Sequence, residues 1–146
     1  MLTTRLLLLV LFPLVGCSDS NPAAWQQRIN QPCGKKPNCV STQDQRDDFT
    51  VSPFTLTAKG MKDWQGIKQA ALSLPGTKIT DESHHYLHVE ATSKIFRFTD
   101  DLEIKQVDDH LNVRSASRVG YSDFGVNRKR VEAFRNQLIK HELIKQ

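Results

Sequence analysis

Apolar residues recurring at intervals of three and four mark two helices in this chain, and alternation of apolar with polar residues marks three strands between them. Over 63–74 the residues Trp64, Ile67, Ala71 and Leu74 keep the helical interval, and Pro75-Gly76 stops the run. Strand-like runs follow at 86–92, 95–104 and 111–119, separated by short polar joints such as Asp108-Asp109-His110. In the first, Leu87, Val89 and Ala91 alternate with Tyr86, His88, Glu90 and Thr92. In the second, Phe96, Phe98, Leu102 and Ile104 share a parity. Leu111 and Val113 share one in the third, continued by Ser115, Ser117 and Val119. Short joints predict an antiparallel meander with one apolar face. The longest helix is expected over 127–144, turning Val131, Phe134, Leu138 and Ile139 inward. A helix stripe of this kind must be buried. The expected class is therefore α+β, a small antiparallel sheet packed by helices in a two-layer sandwich, with the folded part beginning near Val51.

Ahead of these elements the pattern changes. Residues 6–12 are all apolar after a start whose one charge is Arg5, and Leu14-Val15-Gly16-Cys17 closes the run. A membrane-spanning helix needs about 20 consecutive apolar residues, and Pro13 and Gly16 interrupt this one, so it is expected to target the chain rather than to span. The tetrapeptide resembles the lipobox cut by bacterial lipoprotein signal peptidase. That resemblance implies a signal peptide at 1–16, a diacylglyceryl thioether on Cys17 and an acylated new amino terminus, and several acyl chains anchor stably where one does not. Ser18 rather than Asp follows the cysteine, which under the sorting rule of such lipoproteins implies the outer membrane facing the periplasm. Residues 17–32 are expected to be the lipidated cysteine and a polar tether with a reach of about 50 Å when extended. A single domain is expected over 33–146.

Cleavage before Cys17 leaves 130 residues, enough for one domain that buries roughly two-thirds of its unfolded surface. Losing Arg5 takes the formal net charge from +4 to +3. An excess this mild falls short of the concentrated basic footprint of a nucleic-acid binder, while it is compatible with an anionic ligand or an anionic lipid surface. With Cys17 assigned to lipid, one cysteine pair remains, Cys33 and Cys39, in the turn-rich segment CGKKPNC. An oxidising compartment favours a disulfide, and closing a ring of about seven residues stabilises by roughly 2 kcal/mol. The alternatives are zinc, which wants four ligands at closer spacing, and a redox couple, whose thioredoxin-type motif has two residues between its cysteines.

The stretch SASRVGYSDFGVNR at 115–128, together with Tyr86-Leu87-His88, Thr92-Ser93, Phe98-Thr99-Asp100-Asp101 and Pro37-Asn38-Cys39-Val40-Ser41, resembles the family called domain of unknown function 1499. The resemblance covers roughly 33–138. It implies a bacterial envelope or organelle setting and no assigned activity.

Within that block a local rule is broken. Arg128, Lys129 and Arg130 occupy the expected first turn of the last helix, where the macrodipole already presents positive charge. Gly120, Ser122 and Gly125 lie just ahead, and Arg114 and Arg118 share one strand face. Amide donors at a helix start plus arginine forks make a receptor for phosphate, carboxylate or sulfated groups. The candidate ligand site is thus Arg118, Ser122, Asn127 and Arg128. The alternative is an ion network in which Glu90, Asp100, Asp101 and Asp123 neutralise these cations, Arg114 included.

His84, His85 and His88 cluster with Glu90 beyond, so a zinc or general-base site can be drawn. A solvent-facing polar side of the strand explains the same pattern without special chemistry. Asp100 and Asp101 are adjacent on a strand and point to opposite faces, which makes them a poor acid/base pair. No nucleophile elbow, phosphate loop or metalloprotease helix occurs in the sequence, and no cofactor or metal is implied. Trp25 and Trp64 are possible ligand stackers, although Trp64 at helical spacing fits a core. The expected role is a noncatalytic envelope lipoprotein binding an anionic ligand or an envelope protein. The competing one is a hydrolase-like enzyme using His88 and Glu90 beside the arginines.

Overall fold

The computed structural model describes residues 26–146, so the apolar leader, the lipidation site Cys17 and Trp25 lie outside the described residues. After a helical stretch at 26–28 come β1 (Cys39–Ser41), β2 (Phe54–Thr55), α1 (Trp64–Leu72), β3 (Thr77–Ser83), β4 (Tyr86–Thr92), β5 (Thr99–Val107), β6 (His110–Ser117) and α2 (Val126–Lys140). They form a mixed α+β fold around one antiparallel sheet of order β1-β6-β5-β4-β3, with β2 pairing the opening residues of β6.

Alternation divides the sheet into two unlike faces. Leu87, Val89, Leu102, Ile104, Leu111 and Val113 point to one side and join Ile67, Ala70 and Ala71 of α1 and Val131, Phe134 and Leu138 of α2 in a single buried cluster. Each large aliphatic or aromatic side chain buried this way contributes about 1.5–3 kcal/mol. Asp63 starts α1 by accepting the Gly66 amide at 2.7 Å. The other side carries Tyr86, His88, Glu90, Asp101, Glu103 and Arg114. It is not solvated: His88 is 3% exposed and Tyr86 1%.

That second face is covered by the amino-terminal segment. Gln26 bonds Ser83 at the end of β3, and the Arg28 guanidinium lies 3.7 Å from both Asp101 and Glu103 on β5. Asn30 accepts from Asn112 on β6, and Cys33 reaches the Cys39 disulfide on β1. Ile29 is fully buried beneath the crossing. The folded part therefore begins well before Val51, and residues 26–32 are packed rather than a free tether.

Several expected boundaries move. The second strand starts at Thr99 rather than Ile95, because the chain turns between Ser93 and Phe98: the Ser93 amide donates to Phe98 O and the Phe98 amide to Ser93 Oγ. Phe96 and Phe98 are left exposed instead of sharing the core parity of Leu102 and Ile104, and Ile95 is exposed beside them. The third strand ends at Ser117, which leaves Val119 exposed. The last helix stops at Lys140. Glu142 takes a left-handed φ of 58°, Leu143 donates back to Leu138 O, and Ile144 bridges Leu56, so Leu143 and Ile144 are buried outside the helix. Among the described residues no helix is long and apolar enough to cross a membrane.

Candidate functional site

Cys33 and Cys39 are joined by a disulfide. The ring is held by a second device, because Asp44 accepts the Cys33 amide at 2.8 Å and the Arg46 guanidinium at 2.6 and 2.9 Å. Arg46 in turn donates to Cys33 O and lies over the Phe49 ring at 3.9 Å. Hydrogen bonding from Arg46 holds the Asp44 carboxyl well below the usual carboxylate range, against the opposing effect of burial. Disulfide loop, Asp44 and Phe49 thus form one rigid corner at the β1 edge.

Opposite this corner lies the turn between β6 and α2. Gly125, the residue before α2, has φ 80°, a left-handed backbone, and as a glycine it has no side chain with which to cap the helix. Asp123 does the capping: one oxygen accepts the Gly125 amide at 2.9 Å, the other the Asn127 amide at 2.8 Å and the Asn127 side-chain amide at 2.7 Å. A carboxylate already occupies the helix start, where the macrodipole favours an anion. Asn127 is fully buried. It also donates to Asn38 O and Ser117 Oγ and accepts from Ser115 and Arg130. Arg128 reaches the other way and donates to Thr50 O at 2.8 Å and Asp48 O at 3.0 Å.

Between corner and turn is a cleft of about 270 Å³, walled by Pro37, Cys39 and Val40 on one side, Asp48 and Phe49 at the edge, and Ser122, Asp123, Gly125 and Arg128 on the other. Fixing Arg128 on two carbonyls uses two of its five N–H donors and sets the orientation of the rest.

Arg118 is elsewhere. It lies on the covered face, donating through Nε and Nη2 to Asp101 at 3.0 and 2.7 Å and through Nη2 to Glu90 at 2.7 Å. Asp101 also meets His88 Nε2 at 2.9 Å, and Glu90 meets Lys78 at 3.0 Å. Burial pushes the Asp101 carboxyl up, yet the bonds from His88 and Arg118 leave it below its ordinary value. Glu90 is lowered in the same way by Arg118 and Lys78 against burial. The Asp101 bond, partly opposed by burial, raises Arg118. The neighbouring pair behaves differently: burial pushes Glu103 up and Arg114 down although they lie 3.4 Å apart, and burial beside Glu103 pushes the Tyr86 hydroxyl up.

Of the four expected ligand residues, then, Ser122 and Arg128 share a cleft, Asn127 is buried behind its wall, and Arg118 belongs to the other face. The expected ion-network residues fall into three sets: Arg118 with Asp101 and Glu90, Arg114 with Glu103, and Asp100 with Arg130 at 2.7 Å. Asp123 pairs with amides rather than arginines. Pro37, Asp48 and Phe49 were missed as cleft walls. The turn chemistry around the cysteines pointed only to ring closure, and nothing local in the sequence marked that the disulfide loop stands beside the last helix.

The histidines do not converge. His84 and His85 stack at 4.2 Å and His85 lies 5.5 Å from Trp64, whereas His88 is inside the covered face between Thr80 Oγ1, 3.0 Å from Nδ1, and Asp101. The expectation of a solvent-facing His88 is overturned, because residues 26–33 cover that side. Trp64 packs against the core. Among the described residues no three His, Cys, Asp or Glu side chains are placed to hold a metal ion.

Fold and site together define an α+β domain with one apolar and one ion-paired sheet face, and a cleft between a disulfide loop and the start of its last helix. The chain belongs to the family described as Protein of unknown function (DUF1499), whose family model matches residues 31–138. No curated protein matches it.

Proposed function

We propose that this domain is a noncatalytic binding module of the bacterial cell envelope. Cys17 carries the lipid that anchors it to the outer membrane facing the periplasm, and the cleft beside Arg128 takes an anionic group of a small ligand or of an envelope protein. In this reading the helices and the sheet's apolar face form a two-layer sandwich that acts as scaffold. The cleft itself supports the reading: Ser122, Gly125 and Arg128 come from the block that carries the family resemblance, and they meet Phe49 and Pro37 across about 270 Å³. An oriented guanidinium beside an apolar ring suits a ligand with a negative charge and an apolar shoulder. Arg118 has no part in it. Its contacts with Asp101 and Glu90 hold the covered face together.

Isothermal titration of the protein with glycerol phosphate, inorganic phosphate and a phosphorylated glycan tests this. Heat of binding to at least one probe, abolished in Arg128→Gln and retained in Arg118→Ala, is the expected outcome, with a matching rise in Tm at saturating probe. No heat from any probe, or equal binding by Arg128→Gln, overturns it.

A further inference from the structure

Two loops leave the same end of the sheet. Register pairs Thr92 with Thr99 and Asp100 with Ser117, so the β4–β5 turn and the chain leaving β6 emerge side by side. The first holds Ile95, Phe96 and Phe98 in the open, the second Val119, Tyr121 and Phe124, each between 54% and 89% exposed. Phe96 and Phe98 stack at 5.8 Å without covering one another from solvent. Arg97 and Phe124 have φ of 53° and 52°, a left-handed backbone that side-chain-bearing residues rarely adopt. Six exposed apolar side chains gathered at one end of the sheet mark an interaction surface.

We propose that this rim docks onto an anionic lipid bilayer. Its chemistry is that of an interfacial anchor: protruding aromatic and aliphatic tips interleaved with cations. Lys94 and Arg97 stand within the first loop and form no ion pair among the described residues. Exposed Lys35 and Lys36 sit in the disulfide ring, which touches the second loop through Asn38 to Gly120 O and the Asp123 amide to Pro37 O. Of the nearby carboxylates, Asp100 is neutralised by Arg130, and Asp123, bonded by neutral amides, keeps its one negative charge against Lys94, Arg97, Lys35 and Lys36, so the edge presents net positive charge to anionic headgroups.

The chain outside the described residues also fits. Gln26 is fixed at the Ser83 end of the sheet, opposite the rim, and nine Cα-to-Cα steps separate it from Cys17. Extended, they reach about 30 Å. The seven residues of β4 cover about 23 Å. A lipid on Cys17 and the rim can thus rest on one bilayer. Docking would set the Ser122–Gly125 wall of the cleft at the lipid surface. The inference uses the envelope reading for the nearness of a bilayer and does not need the cleft to be occupied.

Flotation of the full chain carrying Cys17→Ser, which removes the thioether, on phosphatidylcholine vesicles with and without phosphatidylglycerol tests it. Binding that requires phosphatidylglycerol is expected. Phe96→Ser/Phe124→Ser should lower partitioning at least about tenfold. Lys94→Gln/Arg97→Gln should also lower it about tenfold, a difference that salt erases. Because the leader is common to all variants, a second readout isolates the rim: in Phe124→Trp, the emission added over the parent should shift blue and be quenched by lipids brominated on the acyl chains. Unquenched emission, or rim variants that float as the parent does, overturns the proposal, and a rim that serves a protein gives that result. Rim-dependent flotation without Arg128-dependent heat sinks only the cleft, and the reverse sinks only the rim.

Discussion

Replacing Arg118 by alanine separates the two arginine groups most directly. The substitution removes the guanidinium that donates twice to Asp101 and once to Glu90. Asp101 is 2% exposed and keeps only its contact with His88 and the 3.7 Å approach of Arg28 among the described residues. Breaking a fully buried ion pair costs about 3–5 kcal/mol. Arg118 is 36% exposed, so water replaces part of what Glu90 loses, and the expected cost is about 2–3 kcal/mol. For a domain of this size, each kcal/mol lowers Tm by about 3–5 °C, which gives a drop of about 6–15 °C. Urea unfolding at neutral pH should show the loss in the midpoint with an unchanged slope. Arg118→Lys should recover only part of it, because an ammonium cannot reproduce the fork across Asp101 and Glu90. A destabilisation below about 0.5 kcal/mol would refute the assignment of Arg118 to the structural network, as would loss of calorimetric binding at the cleft in a stably folded Arg118→Ala protein.

Two further perturbations probe the same interior. Asp44, Glu90 and Asp101 are held below their unfolded values, so the stability they contribute is complete above about pH 5 and is lost as pH falls through their folded values. Glu103 is raised, so its contribution has the opposite sign: it is complete below its unfolded value and lost as pH rises through the folded one. Urea midpoints should therefore pass through a shallow maximum in weak acid and fall steeply below it. Glu103→Gln should flatten the neutral side, and an unchanged neutral limb in that variant would count against the sign. Separately, Asn127→Ala empties a fully buried hub that bonds Asn38, Ser115, Ser117, Asp123 and Arg130, at an expected cost of about 2–4 kcal/mol in the same unfolding assay. A cost under about 1 kcal/mol would show that the hub relaxes around its absence.

Elements that obey a strict period were legible from the residues alone. Residues 86–92 alternate cleanly and are a strand over that same span, and Val131, Phe134 and Leu138 line the inner face of the last helix. β3 was missed because Ile79 is its one large apolar residue, so an edge strand with polar residues on both sides leaves no alternation to detect. β1 and β2, at three and two residues, are too short for any period. Ile95 misled for the opposite reason: a run of apolar residues reads as strand wherever it lies, and these are exposed at a turn. The disulfide followed from compartment and spacing. The division of the arginines did not, because which strand face a side chain joins is local, whereas what covers that face was decided by residues 26–33, far away in sequence and polar in composition.

The covered face is also a poor way to gain stability, which bears on why the chain has it. Burial drives Glu103 and Arg114 toward their uncharged forms even though they face each other, so that pair does not repay its desolvation as Arg118 and Asp101 do. An apolar lining would hold a generic segment at least as firmly. What ions add is position: the Arg28 guanidinium meets carboxylates on β5 at one point of the crossing, and this fixes where the chain coming from Cys17 joins the sheet. Fourteen consecutive residues at 115–128 divide their work in a similar way. Ser115 and Asn127 share a buried hub, Arg118 serves the covered face, Ser122 and Arg128 wall the cleft, and Val119, Tyr121 and Phe124 form the exposed rim. A block used for scaffold and surface together leaves a strong family signature while no one residue in it identifies a site. For that reason the two surfaces separate only when Arg118, Arg128 and Phe124 are changed one at a time.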